Sequence, residues 1–154
     1  MIRTATLADI QSILLLYREL FKQMAIYEPN YMKETDQDYE FVKSVINQEN
    51  NFLIYVFEKD TQVEGFVIVQ KQDAPMYNCF VQQKLVYIMD IVVNPDSRGL
   101  GIGKALLQQV KSWAKSQGVN YLELNVLTAN TAAQKLYERE GFTNFNQSMR
   151  QRLD

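Results

Sequence analysis

The sequence predicts an α/β fold: a mixed central sheet, antiparallel in its N-terminal half and parallel in its C-terminal half, flanked by about four helices. Two stretches with apolar residues at helical spacing come first. Two runs rich in β-branched and aromatic residues follow, joined by a short polar segment. Thereafter strand and helix patterns alternate, so consecutive strands are linked by crossovers and must pair in parallel. A length of 154 residues fits one domain, 1–154, and 47% hydrophobic with 22% charged residues excludes a disordered chain.

Ile2 to Ala5 is a short β-type start that ends at Thr6. Thr6 and Asp9 have capping-box spacing and open a helix whose apolar residues are Ile10, Ile13, Leu14, Tyr17, Leu20, Phe21 and Met24. Pro29 stops it. Thr35 and Asp38 repeat the box ahead of Phe41, Val42, Val45 and Ile46. Phe52 to Phe57 and Val63 to Val69 read as a hairpin, and Leu85 to Val93 as a mostly buried central strand ended by Asn94-Pro95. Gly99, Gly101 and Gly103 lead into a helix stopped by Gly118, Tyr121 to Val126 is the next strand, and Asn130 opens a helix that ends at Gly141. The tail, Phe142 to Leu153, is compatible with one or two further strands.

Histidine is absent, which excludes Ser-His-Asp and Cys-His catalysis, His-ligated zinc and any imidazole acid or base. Proton transfer falls to carboxylate, Tyr, Lys, Cys or water, and no metal site is read. The lone Cys79 forms no internal disulfide and has no histidine to activate it. A net charge of -2 leaves no broad basic field for nucleic acid. With no basic leader and no long apolar run, the expectation is a cytoplasmic protein without membrane association.

Between the central strand and the following helix lies Asp96-Ser97-Arg98-Gly99-Leu100-Gly101-Ile102-Gly103-Lys104. Free N–H groups at a helix start, backed by the helix dipole, bind anions. A dinucleotide fingerprint begun at Gly99 needs glycine where Lys104 stands; a Walker A loop needs glycine at Arg98 and Ser or Thr at Ala105. Neither is present. What fits is Arg-x-x-Gly-x-Gly from Arg98 to Gly103, with glycines admitting a pyrophosphate close to the main chain and Arg98 adding a planar cation. A tight structural turn is the other reading of these glycines.

Ile91 to Leu107, carrying this turn, and Leu122 to Phe142, carrying Asn130, Leu136-Tyr137 and Gly141-Phe142, resemble the GNAT superfamily of acyl-CoA-dependent N-acyltransferases. The opening Ile2 to Thr6 with Asp9 also resembles that family's start. The resemblance implies a GNAT-like fold in which Arg98, Gly99, Leu100, Gly101, Ile102, Gly103 and Lys104 hold the pyrophosphate of coenzyme A. It places Ile91, Val92 and Val93 along the pantetheine arm, at an edge where two parallel strands splay apart. Asn130 is implied as a pantetheine contact, and ordinary helix capping is its other reading. Tyr137 is implied as the general acid for the leaving thiolate, against a plain core role.

Some members carry glutamate on the central strand at the position matching Met89, which cannot accept a proton. Asp90 and Glu123 are the candidate bases, and water is the alternative. Asp90 reaches the cleft only if a bulge turns it, because successive strand residues face opposite sides. Tyr27, Glu28 and Tyr31 and the Asp73 to Lys84 loop are expected to contact the acceptor. The expected function is transfer of acetyl from acetyl-CoA to a primary amine of a small molecule or protein in a ternary complex. A non-catalytic CoA-binding sensor or partner module is the alternative. A homodimer is compatible with the sequence.

Overall fold

Asp9 fixes where the first helix begins. Its carboxylate accepts from the Thr6 backbone N–H at 2.7 Å and from the Arg3 guanidinium at 2.8 and 2.9 Å, and Arg3 also pairs with Glu58. The Arg3 guanidinium holds the Asp9 carboxyl below the usual carboxylate range. In the computed structural model, which describes Met1–Asp154, this cluster ties β1 (Ile2–Thr4) to β2 (Phe52–Lys59) and to the start of α1 (Ile10–Tyr27). A single 3-10 turn, Leu7–Asp9, lies between the cap residue and the α-helix.

The second helix, α2 (Tyr39–Ile46), begins later than the Thr35 reading expects. Asp38 is the N-cap, its side chain accepting from the Glu40 N–H at 3.0 Å. The Gln37 side chain accepts from the Asp38 N–H, which holds the preceding residues outside the helix. Val42 and Val45 are the buried positions of α2, so an earlier turn would add no apolar contact.

The remaining elements are β3 (Gln62–Asp73), β4 (Lys84–Val93), α3 (Ile102–Ser116), β5 (Tyr121–Leu124) and α4 (Thr131–Arg139). The sheet order is β1-β2-β3-β4-β5, antiparallel except for the parallel β4–β5 pair. Only Asp60 and Thr61 separate β2 from β3, both at positive φ, so the strands run beyond the expected hairpin ends. Positive φ at both positions matches the right-handed twist of the flanking strands.

Strand alternation divides the core in two. Val67, Val69, Val86 and Ile88 face Leu106, Leu107 and Val110 of α3. On the other side Ile54, Val56, Phe66 and Ile68 face α1 and α2. Each fully buried aliphatic side chain contributes about 1.5–3 kcal/mol over its exposed state. Gly65 lies where a Cβ would stand 2.8 Å from the Val92 carbonyl oxygen, so glycine there lets β3 come against the end of β4. No helix is long and apolar enough to cross a membrane.

The tail differs from expectation, for no strand forms beyond Leu124. After the Phe142 N–H donates to the Tyr137 carbonyl, residues 143–154 make no backbone hydrogen bond. Phe145, Met149 and Leu153 would share one face of a strand, but they stand 75%, 90% and 93% exposed, so no core packs against the tail to hold it as one. Near the C-terminus the Arg150 guanidinium lies over the Tyr31 ring, 4.2 Å from its centroid.

Candidate active site

The site begins with one extra residue in β4. Ile68 of β3 stands opposite Asp90 and Val69 opposite Ile88, so Met89 is inserted as a β-bulge. The bulge reverses the side-chain parity. Val86 and Ile88 before it, and Ile91 and Val93 after it, pack toward α3, whereas Met89 and Asp90 both lie on the α1 side. Adjacent Met89 and Asp90 therefore share one face, and Asp90 reaches the position that simple alternation denies it.

Parallel pairing with β5 ends at Ile88↔Leu124, immediately before the bulge. Beyond that point Asp90 to Val93 pair with β3 alone, and their other edge is open. Val93 in turn packs near the start of α3, where a Cβ on Gly103 would lie 3.9 Å from it. The open edge thus leads directly to the glycine turn.

Glu64 sets that turn. Its carboxylate accepts from the Asn94 side-chain amide and the Ser97 hydroxyl, both at 2.8 Å, and its carbonyl accepts from the Asn94 N–H. The chain then passes through Gly99 at φ 79° and Gly101 at φ 81°, a region that favours glycine. The N–H groups of Gly99, Leu100, Gly101, Ile102, Gly103 and Lys104 have no acceptor within the protein; the ladder of α3 starts with Ala105 donating to the Gly101 carbonyl. Nothing lies within 4 Å of a Cβ built on Gly99 or Gly101. This is a cradle of unpaired amides at a helix N-terminus, opening on free space and flanked by the exposed Arg98 and Lys104, and it fits an anionic phosphate group. Gly103 has a separate role: its Cβ would lie 3.1 Å from Leu136, so it sets the close packing of α3 on α4.

That packing brings α4 to the cleft. Asn130 caps it, the side-chain oxygen accepting from the Ala133 N–H at 3.1 Å, which leaves its NH₂ group as a donor. Tyr137, 9% exposed, lies edge-on to Phe142 with ring centroids 5.8 Å apart. Its hydroxyl has no protein hydrogen-bond partner. Burial, and then the nearby Asp90 charge, push the Tyr137 phenol up to about 12, so it is protonated at neutral pH.

Asp90 is the other titratable group of the cleft. Burial pushes its carboxyl up to about 6, against the hydrogen bond from the Tyr17 hydroxyl at 2.6 Å, which lowers it. Folding therefore favours the protonated acid. This contribution to stability is complete below the unfolded value near 3.8 and is lost as pH rises through about 6. Asp90→Asn, which keeps an acceptor for Tyr17, is expected to be more stable than wild type at pH 8 by about 1–3 kcal/mol and equal to it at pH 4. Urea melts at the two pH values measure this.

Glu123 sits elsewhere. On β5 it stands beside Tyr87 of β4 and lines a cavity of about 810 Å³ with Asp73, Phe80, Lys111 and Phe145. The Asp90 charge acts on the Tyr137 phenol, whereas Glu123 faces the β3–β4 loop and the tail. In the loop after α1 Glu28 is half-buried and Tyr31 is stacked under Arg150; Cys79 is exposed on the β3–β4 loop. Tyr17 and Glu64 are site residues that sequence reading passes over. Tyr17 carried one signal, a hydroxyl on the buried face of a helix that must find a partner; Glu64 carried none, because its partners lie about thirty residues away.

The acetyltransferase (GNAT) family model matches residues 12–142. An uncharacterized N-acetyltransferase of Methanocaldococcus jannaschii is 30% identical over 141 residues, covering 92% of this chain; the chain spans 59% of that protein's length. A thialysine N-epsilon-acetyltransferase of Bos taurus is 27% identical, with 92% of this chain and 82% of the relative covered. The fold is shared with a solved mutant protein of Bacillus halodurans at TM-score 0.92, 23% identity and 99% coverage of both chains. The bulged, splayed strand with its glycine cradle and the family match over most of the sequence agree: the chain belongs to the GNAT family of acetyltransferases.

Proposed function

We propose that this protein transfers an acetyl group from acetyl-CoA to a primary amine by direct transfer in a ternary complex. The observation that carries the reading is the continuous track formed by the amide cradle and the open edge of β4, which ends beside the bulge that carries Asp90. Bound acetyl-CoA supplies an activated acetyl thioester. The amides of Gly99 to Lys104, with Arg98, hold its pyrophosphate. Ile91, Val92 and Val93 offer main-chain groups to the pantetheine arm, and Asn130 offers its NH₂ group from the far side of the cleft. A backbone N–H of β4 stabilises the developing oxyanion.

Asp90 takes the amine proton. With its carboxyl at about 6 it is ionised at neutral pH, and it is a stronger base than an ordinary aspartate. Tyr137 gives a proton to the departing thiolate. The N-acetyltransferase relatives support an amine acceptor, and the exposed aromatic and acidic residues of the α1–α2 loop suit a cationic one.

The test is thiol release from acetyl-CoA with lysine, thialysine, a polyamine, an aminoglycoside and a peptide with a free N-terminal alanine. Release that depends on at least one amine is expected. Tight acetyl-CoA binding in calorimetry with no amine-dependent release would favour a binding module instead.

A further inference from the structure

The ring of Tyr17 is fully buried and fixed between Phe21 and Phe66, with centroid distances of 5.4 and 4.9 Å. Its hydroxyl therefore has one place to go, and it donates to Oδ2 of Asp90 at 2.6 Å. Oδ1 of Asp90 has no protein partner, yet no buried side-chain oxygen in the chain is left unsatisfied, so Oδ1 is open to solvent.

We infer that Tyr17 is the positioning residue of the proton acceptor: it holds one carboxylate oxygen of Asp90 so that the other faces the incoming amine. The inference rests on the reading of Asp90 as the base. A rigid phenol is suited to this role because its buried ring, fixed between Phe21 and Phe66, holds the hydroxyl against the Asp90 carboxylate. The titratable groups facing Asp90 are Tyr17 from α1 and Tyr137 from α4; α2 presents Val42 and Val45 to this side of the sheet, and β3 places Ile68 opposite. Both phenols stay protonated across the pH range in which the carboxyl titrates, so a change in that range reports on Asp90.

The experiment is twofold, on wild type, Tyr17→Phe and Asp90→Asn, with melting curves to establish that each is folded. Carbon-13 NMR of the aspartate carboxyls follows the titration directly without any substrate. The pH profile of kcat/KM is recorded with whichever amine of the panel above gives the fastest thiol release. In wild type a carboxyl titrating near 6, absent from Asp90→Asn, is expected to match the acid limb of the profile. In Tyr17→Phe both move to higher pH by about one unit, because the charged carboxylate loses a donor. The lost orientation lowers kcat while the KM for acetyl-CoA stays unchanged. A carboxyl titration identical in Tyr17→Phe and wild type overturns the role of Tyr17. An acid limb that persists in Asp90→Asn overturns the assignment of Asp90, and the positioning role falls with it.

Discussion

Replacing Tyr137 with phenylalanine is expected to lower kcat by about a hundredfold or more while leaving the fold and acetyl-CoA affinity close to wild type. The Tyr137 hydroxyl makes no hydrogen bond within the protein, so its removal leaves no buried partner unsatisfied. The ring, packed against Phe142 and the α3-side core, is retained in phenylalanine. What is lost is a proton held in the cleft. With the phenol pushed up to about 12 by burial and by Asp90, wild type carries that proton throughout the neutral range. Phenylalanine carries none. Steady-state thiol release with saturating acetyl-CoA, beside a thermal melt, measures both quantities. Unchanged turnover removes Tyr137 from proton transfer.

Gly101→Glu is expected to weaken acetyl-CoA binding by roughly a hundredfold or more, because a carboxylate would stand where phosphate must approach, and like charges brought together cost several kcal/mol. Space is not the obstacle, since a Cβ at this position meets nothing within 4 Å. The left-handed backbone, at φ 81°, does make any side chain here strained, by about 1–2 kcal/mol. Gly101→Ala carries the same strain without the charge, so the difference between the two variants isolates the electrostatic effect. Calorimetric titration with acetyl-CoA should show a modest loss for alanine and near-abolition for glutamate. Equal losses in the two variants would mean that the glycine serves the turn alone.

Much of this architecture was legible along the chain because local chemistry specifies it. The stripe from Ile10 to Met24, the β-rich runs, and glycines at the start and end of helices each encode their element within a few residues. The Arg98 to Gly103 turn was legible for the same reason: its chemistry is main chain, and glycine is the residue that permits it. Asp90 was legible as a candidate but its direction was not, since that depends on the inserted Met89, which shows only in the register against β3. Tyr17 reads as one more apolar helix position until the fold brings its hydroxyl to a residue seventy-three positions away. The second cap shifted from Thr35 to Asp38 because two acceptors competed and the buried face of α2 decided between them. The tail misled because Phe145, Met149 and Leu153 share the face a strand would present, yet all three stay exposed with no core to cover.

Direct transfer from thioester to amine across the open edge of β4 leaves no acyl group resting on the protein. Mass spectrometry of the protein and of the amine, during turnover with isotopically labelled acetyl-CoA, tests it most directly. Labelled acetyl is expected on the amine in a one-to-one ratio with released thiol, while the protein mass stays constant at every time point. Label accumulating on the protein before it reaches the amine would contradict it.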